Sequence, residues 1–198
     1  MAEFEMSDLG MMHYFLGIKV LQSYTGILIS QNNYVGEILD RFQLKDCNPV
    51  NKPSKFGLKL NKDDEGKKVN SILYKQIVGR LMYLTATRPD IMLFVSFIGK
   101  YMECPIEIHL LAAKRILRYL QVSKEFRLFF KKGEKSDLFG FTNSDYVGDS
   151  YDRKSTSGYV FMLGTRVVSW SSKKQSIVTL STTKDEFVAT TACACQAI

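Results

Sequence analysis

The chain has 198 residues, of which 45% are hydrophobic, 24% charged and 12% aromatic. That balance excludes a disordered or low-complexity chain and allows one substantial core or two small ones. A formal charge of +7 and a pI near 9.2 favour a polyanionic partner, nucleic acid or an acidic membrane surface.

The opening Met1-Ala2-Glu3-Phe4-Glu5-Met6-Ser7-Asp8 has acids where a secretory leader has a basic cluster. No stretch approaches the roughly 18 consecutive apolar residues of a membrane span. Cys47, Cys104, Cys193 and Cys195 form no Cys-x-x-Cys pair, and helical spacing sends the last two to different sides. Free thiols in a reducing compartment follow, so an intracellular protein, cytoplasmic or nuclear and not secreted, is expected.

Residues 12–31 read as a β-hairpin: strand formers over Tyr14–Leu21, a turn at Ser23-Tyr24-Thr25-Gly26, and a return through Ile27–Ser30. Tyr34, Val35, Ile38, Leu39 and Phe42 then recur at helical spacing. Cys47–Pro53 breaks regular structure, and the polar stretch 61–68 reads as a mobile loop. A long helical region follows, interrupted at Arg88-Pro89, with Tyr74, Ile77, Val78, Leu81 and Leu84 before the break and Ile91, Phe94, Val95, Ile98 and Tyr101 after it.

Residues 107–121 give the clearest helix. Ile108, Leu111, Ala112, Ile116, Tyr119 and Leu120 form its apolar side and Lys114, Arg115 and Arg118 its basic side, with Pro105 near its start. The character changes after Lys131–Lys135, where a domain boundary is placed. Strands are expected over 138–142, 158–163 and 167–170, with Asp149–Asp152 as a loop. A terminal helix is capped by Thr182 or Thr183, with Glu186 three residues after the latter. Together these give an α+β chain.

Several words then go beyond composition. Ser7-Asp8-Leu9-Gly10, followed by Tyr14-Phe15-Leu16-Gly17-Ile18, resembles the end of the palm of copia-type reverse transcriptases. Leu73-Tyr74 to Val78-Gly79, Tyr83–Ile91 and Ala112–Leu120 resemble the segments after it. Ser155–Phe161 and Ser169–Gln175 resemble the ribonuclease H domain of the same Pol polyproteins. The resemblance covers nearly the whole chain, with its words in the family's order.

It implies residues 1–133 as the C-terminal part of a reverse transcriptase, a β-hairpin plus a helical thumb- or connection-like region. Residues 137–198 become the N-terminal half of a ribonuclease H-like domain, a truncated three-stranded sheet and one helix. The family copies RNA into DNA and degrades RNA in the hybrid, using Mg²⁺ held by clustered carboxylates.

The departures decide what this chain is expected to do. It contains no Tyr-x-Asp-Asp turn, and Asp63-Asp64 sits in a polar loop, so it should not polymerise DNA by itself. The family's first ribonuclease acid follows the threonine of Thr-Asp-x-Asp; here Thr142-Asn143-Ser144-Asp145 puts Asn143 in its place. Asp145 would share a strand face with Asn143 but lie roughly 7 Å further along. Glu186 matches the family's second acid, so Glu186 and Asp145 are the candidate catalytic residues and Glu186 the candidate metal ligand. Glu186 reads equally well as an acid favoured at a helix N-terminus. Mg²⁺ belongs to the parent family, and productive binding here is not expected.

Gly17 and Lys19 resemble the family's grip on a primer strand, and read otherwise as a turn with one exposed lysine. Arg153, Lys154, Lys173 and Lys174, with Lys184, are candidates for phosphates of an RNA·DNA hybrid, or are a solvated basic face. Trp170 reads as packing. His13 and His109 have no partner at ligand spacing. Arg115-Ile116-Leu117-Arg118 matches the Arg-x-Leu-Arg word of secreted pathogen effectors, which on this reading share nothing else with the chain. Its spacing is that of an amphipathic helix.

The expected function is a retrotransposon-derived Pol fragment, catalytically inactive alone, with nucleic acid and the remainder of a Pol protein as partners and no membrane. The alternatives are a domesticated nucleic-acid-binding module and a residual metal-dependent ribonuclease H.

Overall fold

The computed structural model describes residues 10–55, 60–61, 66–133, 137–146, 148 and 152–197. The Ser7-Asp8-Leu9 word, Asp63-Asp64 and residues 149–151 of the expected loop lie outside them. The architecture is α+β, with two antiparallel sheets and five helices among the described residues.

The first sheet has the order β1-β2-β3-β4, from Tyr14–Phe15, Ile18–Ser23, Gly26–Ser30 and Leu128–Lys131. β1 and β2 turn over Leu16-Gly17, where both residues have positive φ, 46° and 77°. A left-handed backbone favours glycine, and that conformation accounts for Gly17. β4 was not expected from sequence. It pairs with β3 through Gly26↔Lys131 and Ile27↔Phe130, and so gains its order from a partner distant along the chain.

The helices build the main core. α1 (Asn32–Arg41), α2 (Ser71–Leu84), a 3₁₀ turn (Pro89–Ile91), α3 (Met92–Gly99) and α4 (Glu107–Val122) enclose Ile38, Tyr74, Ile77, Leu81, Leu84, Ile91, Ile98, Ile116 and Leu117. Asn70 caps α2 by accepting from the amides of Ile72 and Leu73, both at 3.0 Å. The Tyr74 hydroxyl donates to the Ile98 carbonyl at 2.7 Å, which satisfies its one polar atom inside the core. The basic side of α4 is as expected. Its apolar side needs correction at Leu111, which is 59% exposed, while Ala113 and Leu117 are buried instead.

The break between α2 and α3 is held by one guanidinium. Arg88 donates to both Asp90 carboxylate oxygens, at 2.8 and 2.7 Å, and to the Ser123 carbonyl and hydroxyl, at 3.0 and 2.7 Å. The Tyr119 hydroxyl donates to Asp90 at 2.8 Å. Burial pushes the Asp90 carboxyl up, but the Arg88 hydrogen bonds and charge, with Tyr119, outweigh it and hold it below the usual carboxylate range.

His109 is enclosed at the start of α4, stacked on the Tyr101 ring with centroids 3.8 Å apart. Its Nδ1 accepts from the Ile106 amide at 3.2 Å, so Nε2 carries the proton and donates to the Asn61 carbonyl at 2.9 Å. Burial lowers its pKa, against the Asn61 hydrogen bond that raises it. The neutral ring is therefore the folded form. Its contribution is complete above the ordinary histidine value of about 6.5 and declines as pH falls below it toward the lower folded value. His109→Gln is expected to flatten the dependence of urea midpoints on pH below about 6.5. An unchanged slope would show that another group titrates there.

The second sheet has the order β5-β6-β7, from Leu138–Asp145, Thr156–Leu163 and Arg166–Lys174, and α5 (Thr182–Ala197) packs on it. The expected cap is corrected: α5 begins at Thr182, and Ser181 before it accepts from the Lys184 amide through Oγ at 3.3 Å and from the Asp185 amide through its carbonyl at 3.1 Å. The two sheets are joined by more than chain. Trp170 Nε1 donates to the Thr85 carbonyl at 2.8 Å, and Lys100 Nζ to Thr156 Oγ1 at 3.1 Å. Among the described residues no helix is long and apolar enough to cross a membrane.

Candidate functional site

The register of the second sheet decides which side chains can meet. Directly paired residues share a face, and faces alternate along a strand. Asn143 pairs with Gly158 and Asp145 with Thr156, while Ser144 between them pairs with Ser157. Asn143 and Asp145 line a cleft with Pro89, Met92 and Leu93, on the side of α3.

Ser144 faces α5, where its hydroxyl donates to Asp185 Oδ2 at 2.6 Å. A Cβ built on Gly140, which shares that face, would lie 3.5 Å from Cys193 Sγ of α5. The sheet therefore stands between Asn143 and Asp145 on one side and α5 on the other. Glu186 is exposed on α5. The three residues that sequence reasoning grouped as one acid site are not brought together.

Asp185, which that reasoning passed over, is the acid buried against β5, at 1% exposure. Thr179 Oγ1 donates to its Oδ1 at 3.3 Å, and Gln175 Nε2 donates to its backbone carbonyl at 3.3 Å and to Ser157 Oγ at 2.7 Å. Asp185, Ala189 and Cys193 are the buried residues of α5 and stand four apart. A search for an i, i+4, i+8 stripe would have found Asp185.

Hydroxyls and an amide satisfy that carboxylate, and it faces no second acid. Among the described residues no three His, Cys, Asp or Glu side chains gather where they could hold a metal ion. Paired Mg²⁺ needs convergent carboxylate oxygens. The residues present do not fit it.

The basic candidates divide as well. Lys173 pairs with Ser157 and so shares the α5 face, whereas Lys174 pairs with Thr156 on the cleft face. Lys174 Nζ is tied to Asp152 at 2.6 Å, and the same carboxylate accepts from the Lys154 amide at 3.1 Å. Arg153 sits between them with a positive φ of 56°. Lys184 is exposed in the first turn of α5. Gly17 and Lys19 belong to the other sheet. The Tyr83 hydroxyl donates to the Leu16 carbonyl beside Gly17, and Lys19 is half-buried opposite Tyr14 and Ser30. Exposed Met11, Met12, Tyr14, Phe15 and Leu16 rim this turn.

The Arg-x-Leu-Arg word lies within α4: Leu117 is in the core, and Arg118 Nε donates to the Asn48 carbonyl at 2.6 Å.

The family described as Reverse transcriptase (RNA-dependent DNA polymerase) matches residues 1–55. The chain is 40% identical over 184 residues to the Retrovirus-related Pol polyprotein from transposon RE1 of Arabidopsis thaliana, covering 93% of this chain and 13% of that protein. It is 38% identical over 197 residues to the corresponding polyprotein from transposon TNT 1-94 of Nicotiana tabacum, covering 95% of this chain and 15% of that one. The chain thus spans less than a fifth of the length of these Pol polyproteins.

Secreted RxLR effector protein 161 of Plasmopara viticola is 41% identical over 122 residues, covering 61% of this chain and 86% of that protein. The expectation that such effectors share nothing else with the chain is therefore wrong for a protein bearing that title. No solved structure matches. Nearly the whole chain aligns with Pol polyproteins, in agreement with the words read from the sequence, and it belongs to the copia-type retrotransposon Pol family.

Proposed function

We propose that this chain is a nucleic-acid-holding segment of a copia-type Pol protein, with residues 137–198 as a ribonuclease H-like half that lacks nuclease chemistry of its own. The observation that carries this reading is the sheet standing between Asn143 and Asp145 on one face and α5, with Glu186, on the other. An acid that replaced Asn143 would still face α3. The whole protein would copy RNA into DNA and remove the RNA, and this segment would grip the hybrid. The formal charge of +7 supplies the attraction.

The test is a labelled RNA·DNA hybrid incubated with the full chain in Mg²⁺ and in Mn²⁺, beside Glu186→Gln and Asn143→Asp. No cleavage is expected from the parent chain or from Asn143→Asp. Cleavage that disappears in Glu186→Gln would sink the proposal in favour of a residual ribonuclease. Hybrid binding, followed by anisotropy, is expected to weaken steeply with salt, by roughly 0.9 log units per log unit of salt for each phosphate neutralised on B-form duplex. Salt-independent or absent binding would remove the holding role.

A further inference from the structure

We propose that the cleft between α3 and the second sheet is a slot for one unpaired guanine base, read by Asn143 and Asp145. The proposal rests on the nucleic-acid-holding reading and names what the second half of the chain would grip.

The register sets three rows of side chains on the cleft face. Phe141, Val160 and Trp170 make an apolar and aromatic row. Asn143, Gly158 and Ser172 make a polar row beside it, and Asp145, Thr156 and Lys174 a charged row beyond. Pro89, Met92 and Leu93 close the cleft from the helical side, leaving about 300 Å³. That volume is at the small end for ligand sites, too small for a folded polymer and suited to one base with its sugar.

Gly158 is the floor of the middle row, with Asn143 on one side and Ser172 on the other, so the depression there is lined by backbone. A side chain on it would fill the slot, and its Cβ would already come within 3.3 Å of the Ser171 carbonyl. Ser172 Oγ is buried without a hydrogen-bond partner among the described residues. A buried hydroxyl left unpaired is costly, and a ligand in the slot would supply what it lacks.

The two reading residues select the base. Asn143 offers an amide donor, and Asp145 only acceptors. They lie two residues apart on one strand face, roughly 7 Å along the strand. The Watson–Crick edge of guanine carries the O6 acceptor at one end and the N1–H and N2–H donors towards the other. Asn143 meets O6, and the Asp145 carboxylate meets the two donors. Adenine reverses that order and would turn its N1 lone pair towards the carboxylate. The Phe141 and Trp170 rings supply faces for stacking, as aromatic side chains do for splayed-out bases. Lys100, which donates to Thr156 at the charged end, places a cation there for a phosphate.

Trp170 is the single tryptophan of the chain and lines the slot, so its fluorescence reports occupancy directly. The experiment titrates the full chain with 5′-GMP and separately with 5′-AMP, which carries the same phosphate. Saturable change with GMP is expected, at least about tenfold tighter than with AMP. Asp145→Asn, close in shape and on an exposed side chain, is expected to remove that preference with an unchanged circular dichroism spectrum. No fluorescence change, equal response to GMP and AMP, or a preference that survives Asp145→Asn would each overturn the slot.

Hybrid anisotropy on the same variant separates the two proposals, because phosphate contacts do not depend on Asp145. Binding of hybrid without GMP recognition overturns the slot alone. GMP recognition without hybrid binding supports the slot and overturns the holding role.

Discussion

Arg88→Met is expected to lower the unfolding free energy by about 3 kcal/mol, the low end for removing one partner of a buried ion pair. The low end applies because the Arg88 side chain is 3% exposed but its partner Asp90 is 28% exposed, so water reaches the carboxylate left behind. The variant strips Asp90 of two charge-assisted hydrogen bonds and leaves the Ser123 carbonyl without its donor. It also removes a cation within 5.8 Å of the Tyr119 ring and 5.2 Å of the Phe126 ring. The double variant Arg88→Met/Asp90→Leu is expected to recover a large part of the loss, because no unpaired charge then remains. Urea unfolding of the parent, both singles and the double closes the cycle. Equal losses in the single and double variants would mean the pair is not the keystone of the α2–α3 break.

The same network sets an acid limit distinct from that of His109. The Asp90 carboxyl is depressed in the fold, so its contribution is complete above the ordinary value of 3.8 and is lost as pH falls through the lower folded value. His109 acts earlier, below about 6.5. Stability is therefore expected to fall in two stages on acidification, the first absent in His109→Gln and the second absent in Arg88→Met.

Local periodicity made most elements legible. Tyr74, Ile77, Val78, Leu81 and Leu84 recur at helical spacing and are the buried residues of α2, because a helix stripe is fixed by the chain alone. Alternation likewise placed Asn143 and Asp145 on one strand face, where they line one cleft. What alternation does not state is which face a later helix covers. That choice made Asp185, rather than Glu186, the acid against β5, and it separated the acids that the family resemblance grouped. Leu111 was misread for a related reason: the apolar face of α4 is wide, and the packing of its neighbours selected which part to bury. Lys173 and Lys174 were grouped as neighbours in sequence, although neighbours in a strand point to opposite faces.

β4 was illegible for an energetic reason that also yields the second large prediction. Four residues carry too little pattern to announce a strand, and Leu128–Lys131 is ordered by β3, at the far end of the chain. Gly26 sits at the end of that ladder, and a Cβ there would lie 2.3 Å from the Phe130 carbonyl oxygen and 2.9 Å from the Phe129 ring. The nearest obstacle is backbone and has no rotamer to change, so β4 must move away from β3. Gly26→Ala is expected to cost about 3 kcal/mol, the upper part of the range for inserting an atom where there is no room.

Gly133→Ala is the control. Its φ is +78° with nothing within 4 Å of the added Cβ, so only backbone strain of about 1 kcal/mol is expected. Amide exchange distinguishes the two: Gly26→Ala should lose protection through Leu128–Lys131 and Gly133→Ala should keep it. Equal, small losses in both variants would mean that β4 adds nothing to the first sheet and that the hairpin and helices stand without it.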